Sequence, residues 1–320
     1  MPYTSIKPYL ASDGRRIALI GSNPTQPPTV AVVNPDTAEI HELTNDPSRP
    51  DPAVISWPEQ FTYPTRDGHT GHGLYYPPHP AIPRPPLVIR AHPGPTANTS
   101  LRLDIAVRFF TGNGFAVADI DYRGSTGYGR AYRQQLRGRW GILDPQDCID
   151  AANHLSGTGK AGSRRMVITG ASAGGYTALR ALTQPNQPFI AATARSAIID
   201  PIAWRTAVPP FQTHHTDGLI GPWPEAADAY RSRSVLHNAD AIRRPVLLLH
   251  GDADSIAPIE PATRLATALR TSGTPCTLVA FPGQGHSLDG TAMDKALRDE
   301  LNHYRSVLDT RSIASQPTRR

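Results

Sequence analysis

The stretch Val167 to Leu182, VITGASAGGYTALRAL, sets one serine between glycines: Gly170-Ala171-Ser172-Ala173-Gly174 matches G-x-S-x-G. A serine hydroxyl is a weak nucleophile until a base takes its proton and a third group orients that base. An apolar strand-like run ends just before the motif and a helix-like stretch begins just after it. That context predicts a nucleophile elbow, a strand-to-helix turn so strained that only small residues fit beside the serine. The Ala173 N–H then lies at a helix N-terminus, where it can donate to a developing oxyanion.

On such a turn the partners follow in the order Ser, Asp or Glu, His, each on a loop after a strand. RPVLLLHGDADSIAP ends one predicted strand in a loop with Asp252 and Asp254, and VAFPGQGHSLDG ends the next in a loop with His286. The later His303 falls in a final predicted helix, off the apolar face formed by Leu297, Leu301, Tyr304 and Leu308, and reads as a solvated residue. Spacing alone leaves both aspartates open. Asp252, directly after Gly251, could brace the turn; Asp254 lies further around the loop and is favoured as the orienting group.

The elements that must position these residues alternate between strand and helix. Predicted strands PPLVIRAH, GFAVADID, RRMVITG, FIAATARS, RPVLLLHG and PCTLVAFP are interleaved with helices near 101–110, 145–155, from 173, 260–271 and 292–308. Alternation of this kind argues for a mostly parallel sheet flanked by helices, an α/β fold. EQFTYPT and HGLYYPP form a hairpin ahead of it, and 201–241 is less regular. Residues 11–45 read as three strands of an antiparallel meander, RRIALIGSN, PTVAVVNPD and EIHELT, followed by a Pro-rich linker. The expected division is 1–56 meander and linker, 57–310 catalytic domain and 311–320 disordered tail.

Composition excludes several function classes. The chain has 320 residues, a hydrophobic fraction of 39% and charged residues at 18%, with no apolar run long enough for a membrane span. The N-terminus lacks a basic-then-apolar signal layout, so a cytoplasmic location is expected. A formal charge of +5 comes from scattered arginines with no basic motif interleaved with aromatics, which argues against nucleic acid. Cys148 and Cys276 are far apart and predict neither disulfide nor zinc. His69 with His72, and His214 with His215, are pairs without further ligands, so no metal is expected. Gly124 to Gly129, GSTGYG, lacks dinucleotide-loop spacing, and no cofactor is expected.

From about Trp57 to Tyr304 the chain resembles the catalytic domain of the prolyl oligopeptidase family of serine peptidases, nearest its acylaminoacyl-peptidase and dipeptidyl-aminopeptidase-like branch. The resemblance rests on AHPGP (91–95), DYRGSTGYGRAYR (121–133), GRWGILDPQDC (138–148), GASAGGY (170–176), HGDADSIAP (250–258) and GQGH (283–286). It implies an α/β-hydrolase fold with Ser172 as nucleophile, His286 as general base and Asp254 as its orienter. It also implies an oxyanion hole from the Ala173 N–H and the Gly94 N–H. Some members have at the position of His92 a tyrosine whose hydroxyl helps bind the oxyanion, so His92 is a third candidate for the oxyanion hole. Pro93 departs from the HGGP pattern of relatives.

The resemblance further implies a serine hydrolase acting on short peptides or acylated amino acids. Esterase or acyl-transferring and cyclising chemistry on the same triad is the alternative, and a non-catalytic remnant or binding module is another. Family members usually carry a complete N-terminal β-propeller over the site, whereas residues 11–45 resemble one blade. The expectations are therefore an open site and an exposed N-terminal strand edge suited to a homodimer or a partner chain. Pro209 to Trp223 is expected to wall the acyl pocket.

Overall fold

A computed structural model describes residues 2–43, 50–51, 54–208 and 214–314. Its first sheet is a meander of four antiparallel strands in sequential order, β1 (Ser5–Ser12), β2 (Ile17–Asn23), β3 (Gln26–Val33) and β4 (Ile40–Glu42). The sequence reading predicts three of these and misses β1. That strand is exposed almost throughout, with Tyr9 and Leu10 facing solvent, and shows no in-out alternation to detect. Tyr3, Leu19, Ala31 and Val33 form a small core of their own under this sheet.

The second sheet has eight strands: β5 (Glu59–Pro64), β6 (Thr70–Tyr76), β7 (Leu87–Ala91), β8 (Ala116–Asp121), β9 (Met166–Ala171), β10 (Ala192–Arg195), β11 (Val246–Gly251) and β12 (Cys276–Phe281). Their order is β12-β11-β10-β9-β7-β8-β6-β5. The six strands from β7 to β12 run parallel, and the β5–β6 hairpin adds an antiparallel edge. The helices are α1 (Ile105–Gly112), α2 (Gly129–Gln134), α3 (Leu143–Gly157), α4 (Ala173–Leu182), α5 (Pro201–Ala207), α6 (His215–Leu219), α7 (Ala227–Arg233), α8 (Glu260–Thr271) and α9 (Gly290–Ala314).

Period-two alternation in the buried strands supplies two cores at once. Leu87, Ile89, Met166 and Ile168 point to the face covered by α3, α4 and α8. Val88, Val117 and Val167 point to the opposite face, against Val107 and Phe110 of α1 and Leu297, Leu301 and Tyr304 of α9. This is an α/β-hydrolase architecture, with every strand-to-helix turn that matters below at the C-terminal ends of the parallel strands.

Three expectations are corrected. Among its described residues the stretch 201–241 holds three short α-helices and a 3-10 turn at Ala239–Ala241, each too brief to show a helical period in sequence. The last helix continues to Ala314, beyond the expected start of the tail at 311, because no proline or glycine interrupts 291–314; residues 315–320 lie outside the described residues. His303 is half-buried rather than solvated: its Nε2 is buried, and burial holds the ring below the usual imidazole range. The long helix lies close enough to the sheet to cover residues beside its apolar stripe.

One buried ion pair ties the turn after β8 to its surroundings. The Arg123 guanidinium, fully buried, bonds Asp147 Oδ1 of α3 at 2.7 Å and Asp67 Oδ2 of the β5–β6 turn at 2.7 Å, and its own amide donates to Asp147 Oδ2 at 2.7 Å. Removing the cation leaves Asp147 charged in the interior. Arg123→Met is expected to lose about 3–5 kcal/mol of stability at neutral pH, read as a lower urea midpoint at unchanged slope.

Candidate active site

Ser172 sits between β9 and α4 with φ 53 and ψ −121, a left-handed backbone that a non-glycine residue rarely adopts. The chain around it holds that strain. The Ser172 amide donates to the Arg195 carbonyl at the end of β10, 2.9 Å away, and the Tyr176 amide closes onto the Ser172 carbonyl at 3.1 Å. Gly174 lets α4 press against the loop after β7: a Cβ there would lie 2.2 Å from the Ala91 carbonyl oxygen. Any side chain at this position would push the helix start off the β7 loop.

The loops after β11 and β12 meet in the same way. A Cβ at Gly251 would lie 2.2 Å from the Gln284 carbonyl oxygen, and the Ala253 amide donates to that carbonyl at 3.0 Å. The two aspartates divide between the two jobs that sequence left open. Asp252 Oδ1 accepts the Gly283 amide at 2.7 Å and braces the turn. Asp254 Oδ2 lies 2.8 Å from His286 Nδ1, while its Oδ1 accepts the amides of Ile256 and Ala257, each at 2.9 Å. Asp254 Oδ1 is thus fixed by two backbone donors, which leaves Oδ2 aimed at the imidazole.

Sequence reasoning passed over His250, which is buried in this loop. Its Nε2 donates to the Ala257 carbonyl at 2.7 Å and so clamps the turn that carries Asp254. The signal was present in His250-Gly251 directly ahead of the acidic residues. His286 and Ser172 line one cavity of about 650 Å³ at the C-terminal edge of the sheet, together with His92, Pro93 and Ser196.

The oxyanion candidates separate. The Ala173 and Gly94 amides have no acceptor among the described residues, and Gly94 takes φ 86, open to glycine. His92 is different: Nδ1 donates to the Gly94 carbonyl at 3.0 Å and Nε2 is engaged by the Ser125 hydroxyl at 2.8 Å, with the ring stacked 4.2 Å from Tyr122. Neither ring nitrogen is free for an oxyanion, which corrects the expectation for His92. It positions the Gly94 peptide instead. Ser125 belongs to the glycine-rich GSTGYG loop, so that loop supports the site through His92. The remaining histidine pairs are placed elsewhere: His72 stacks 4.1 Å from Tyr128, and His214 Nδ1 bonds Asp217 at 2.9 Å on the surface.

Deeper in the cavity lies a charged group on β7 and β8. Arg90 Nη1 bonds Asp104, the N-cap of α1, at 3.0 Å, and Arg90 Nε bonds Asp119 at 2.8 Å. Burial pushes the Asp119 carboxyl up to about 6 even with the guanidinium against it.

A serine on a strained strand-to-helix turn, an Asp–His pair on the loops after β11 and β12 and a free amide at Ala173 next to the serine make this an α/β-hydrolase with a serine-hydrolase site. The chain belongs to the prolyl oligopeptidase family, whose model matches residues 101–311. It is 36% identical to a puromycin-hydrolyzing peptidase of Mycobacterium tuberculosis, superposing with a TM-score of 0.92 over 96% of this chain and 48% of that one. It is 30% identical to an uncharacterized peptidase of Bacillus subtilis over 80% of this chain and 39% of the relative. An acylaminoacyl peptidase of Pyrococcus horikoshii, 22% identical with a TM-score of 0.79 over 97% of this chain and 49% of that chain, shares the fold. The chain spans about half the length of these solved structures and less of the curated relatives it matches. No helix among the described residues is long and apolar enough to cross a membrane.

Burial holds both His92 and His250 below the usual imidazole range, so both are neutral in the fold. In the unfolded chain they titrate near 6.5. A base with a depressed folded pKa adds stability that is present above the unfolded value and is lost as pH falls below it. These two histidines therefore destabilise the fold as pH falls from 7.5 to 6, against the opposite pull of Asp119, and His250→Gln is expected to shift the slope of stability against pH by up to about one proton, measured by urea denaturation of wild type and variant across the range.

Proposed function

We propose that this protein is a serine hydrolase that cleaves short peptides or acylated amino acids through an acyl-enzyme on Ser172. The observation that carries the proposal is the 2.8 Å contact between His286 Nδ1 and Asp254, with His286 and Ser172 lining one cavity. Ser172 Oγ bonds to the acyl carbon and its proton passes to His286 Nε2. As the C–N bond breaks, His286 returns that proton to the leaving nitrogen. Water then attacks the acyl carbon, gives a proton to His286, and the ester bond to Ser172 breaks as Oγ is reprotonated. Asp254 holds the imidazole in the Nδ1–H tautomer throughout. The amides of Ala173 and Gly94 bind the oxyanion in both halves.

The likeness to a puromycin-hydrolyzing peptidase favours an amide substrate with an aminoacyl group on the acyl side. A wall of the acyl pocket is expected from Pro209 to Trp223, of which residues 209–213 lie outside the described residues. Esterase or acyl-transfer chemistry would use the same groups with another leaving group or acceptor.

The test is turnover of matched aminoacyl amides and esters by the wild type and by Asp254→Asn. Amide hydrolysis is expected in the wild type, with kcat lower by roughly 10⁴-fold in the variant because the tautomer is lost. Ester turnover without amide turnover would favour the esterase reading, and no turnover of either by folded protein would leave the binding-module reading.

A further inference from the structure

We propose that Arg195 binds the free carboxylate of the leaving amino acid or short peptide, which makes the enzyme selective for substrates ending close behind the scissile bond. The inference rests on the acyl-enzyme reading above and adds to it the chemistry of the leaving-group side.

The cavity at Ser172 is that side. His286 hands its proton to the leaving nitrogen, so the leaving group must lie where His286 does. His286 and Ser287 line the cavity and the oxyanion donor Ala173 does not. At about 650 Å³, the space falls in the range of roughly 300–1,000 Å³ that suits a small ligand.

Its charged groups are unequally satisfied. Arg90 is bonded by two carboxylates, Asp104 and Asp119, which accounts for both acids lining the cavity. Arg195 has neither. It stands at the end of β10 opposite Ala171 in register, one residue from the nucleophile. Its Nε is buried without a hydrogen-bond partner, and Nη1 meets only the Met293 sulfur, at 3.6 Å. Beside it the Ser196 hydroxyl is also buried without a partner, on a residue held at φ 42. Arg102, at the exposed rim, forms no ion pair among the described residues.

Leaving a guanidinium part-buried and unpaired is costly, and a planar carboxylate fits its fork with two parallel hydrogen bonds. A peptide substrate brings such a carboxylate at its C-terminus. The arrangement therefore selects a leaving group that carries its own anion within one or two residues of the cleaved bond.

The test compares acetyl-Phe-Ala with its C-terminal amide, as the ratio of kcat/KM values within each protein, so that any loss of folded enzyme cancels. In the wild type the free acid is expected to be preferred by about 10- to 100-fold, chiefly through KM, in keeping with a hydrogen-bonded charge pair. Arg195→Met should bring the ratio close to unity, and Arg195→Lys should retain part of it. A wild-type ratio near one, or a preference that survives Arg195→Met, overturns the inference while Ser172-dependent hydrolysis stands. Turnover that persists in Ser172→Ala overturns the acyl-enzyme reading itself.

Discussion

The close approach of α4 to the loop after β7 is the constraint on which the rest depends. With no Cβ at Gly174, the helix start lies against the Ala91 carbonyl, and the turn before it has no room to relax. Ser172 is left at φ 53, a conformation costing about 1–3 kcal/mol that only surrounding structure can maintain. The same contact leaves the Ala173 amide at the start of α4, directly after the serine. His92, held between Gly94 and Ser125, keeps the Gly94 peptide in position. The strained turn of Ser172 and the free amide at Ala173 thus follow from how tightly one helix meets one strand.

The second half of the site repeats this economy. Gly251 allows the loops after β11 and β12 to touch, Asp252 braces the junction, and His250 clamps the turn that presents Asp254. None of Gly251, Asp252 and His250 lines the cavity, and each acts by fixing a backbone segment. Preorganisation of this kind leaves little to rearrange when charge develops, which is where electrostatic catalysis gains most.

Much of this was legible in sequence because the parallel strands are short apolar runs ending in glycine-flanked motifs. β7 to β12, α8 and the α4 start could be read that way, and the order Ser172, then Asp252 or Asp254, then His286 followed from them, with the family resemblance pointing to Asp254. What could not be read depended on tertiary contact. The strand β1 has an exposed side-chain pattern, and the helices α5 to α7 span too few residues to show a period. His303 lies off the apolar stripe of α9 yet is covered by the sheet. His92 resembled an oxyanion donor by position, and only its two hydrogen-bond partners reveal that both nitrogens are occupied. The role of Arg195 likewise depends on which carboxylates lie near it in space, and the one-dimensional pattern does not contain that information.

The most direct measurement is the rate of labelling by a fluorophosphonate, with the modified residue located by peptide mass spectrometry in the wild type and in His286→Ala. An assembled site predicts rapid, stoichiometric modification at Ser172 that slows by orders of magnitude when the imidazole is removed. Folded protein that is not labelled, or labelling at Ser172 that is indifferent to His286, would contradict the account.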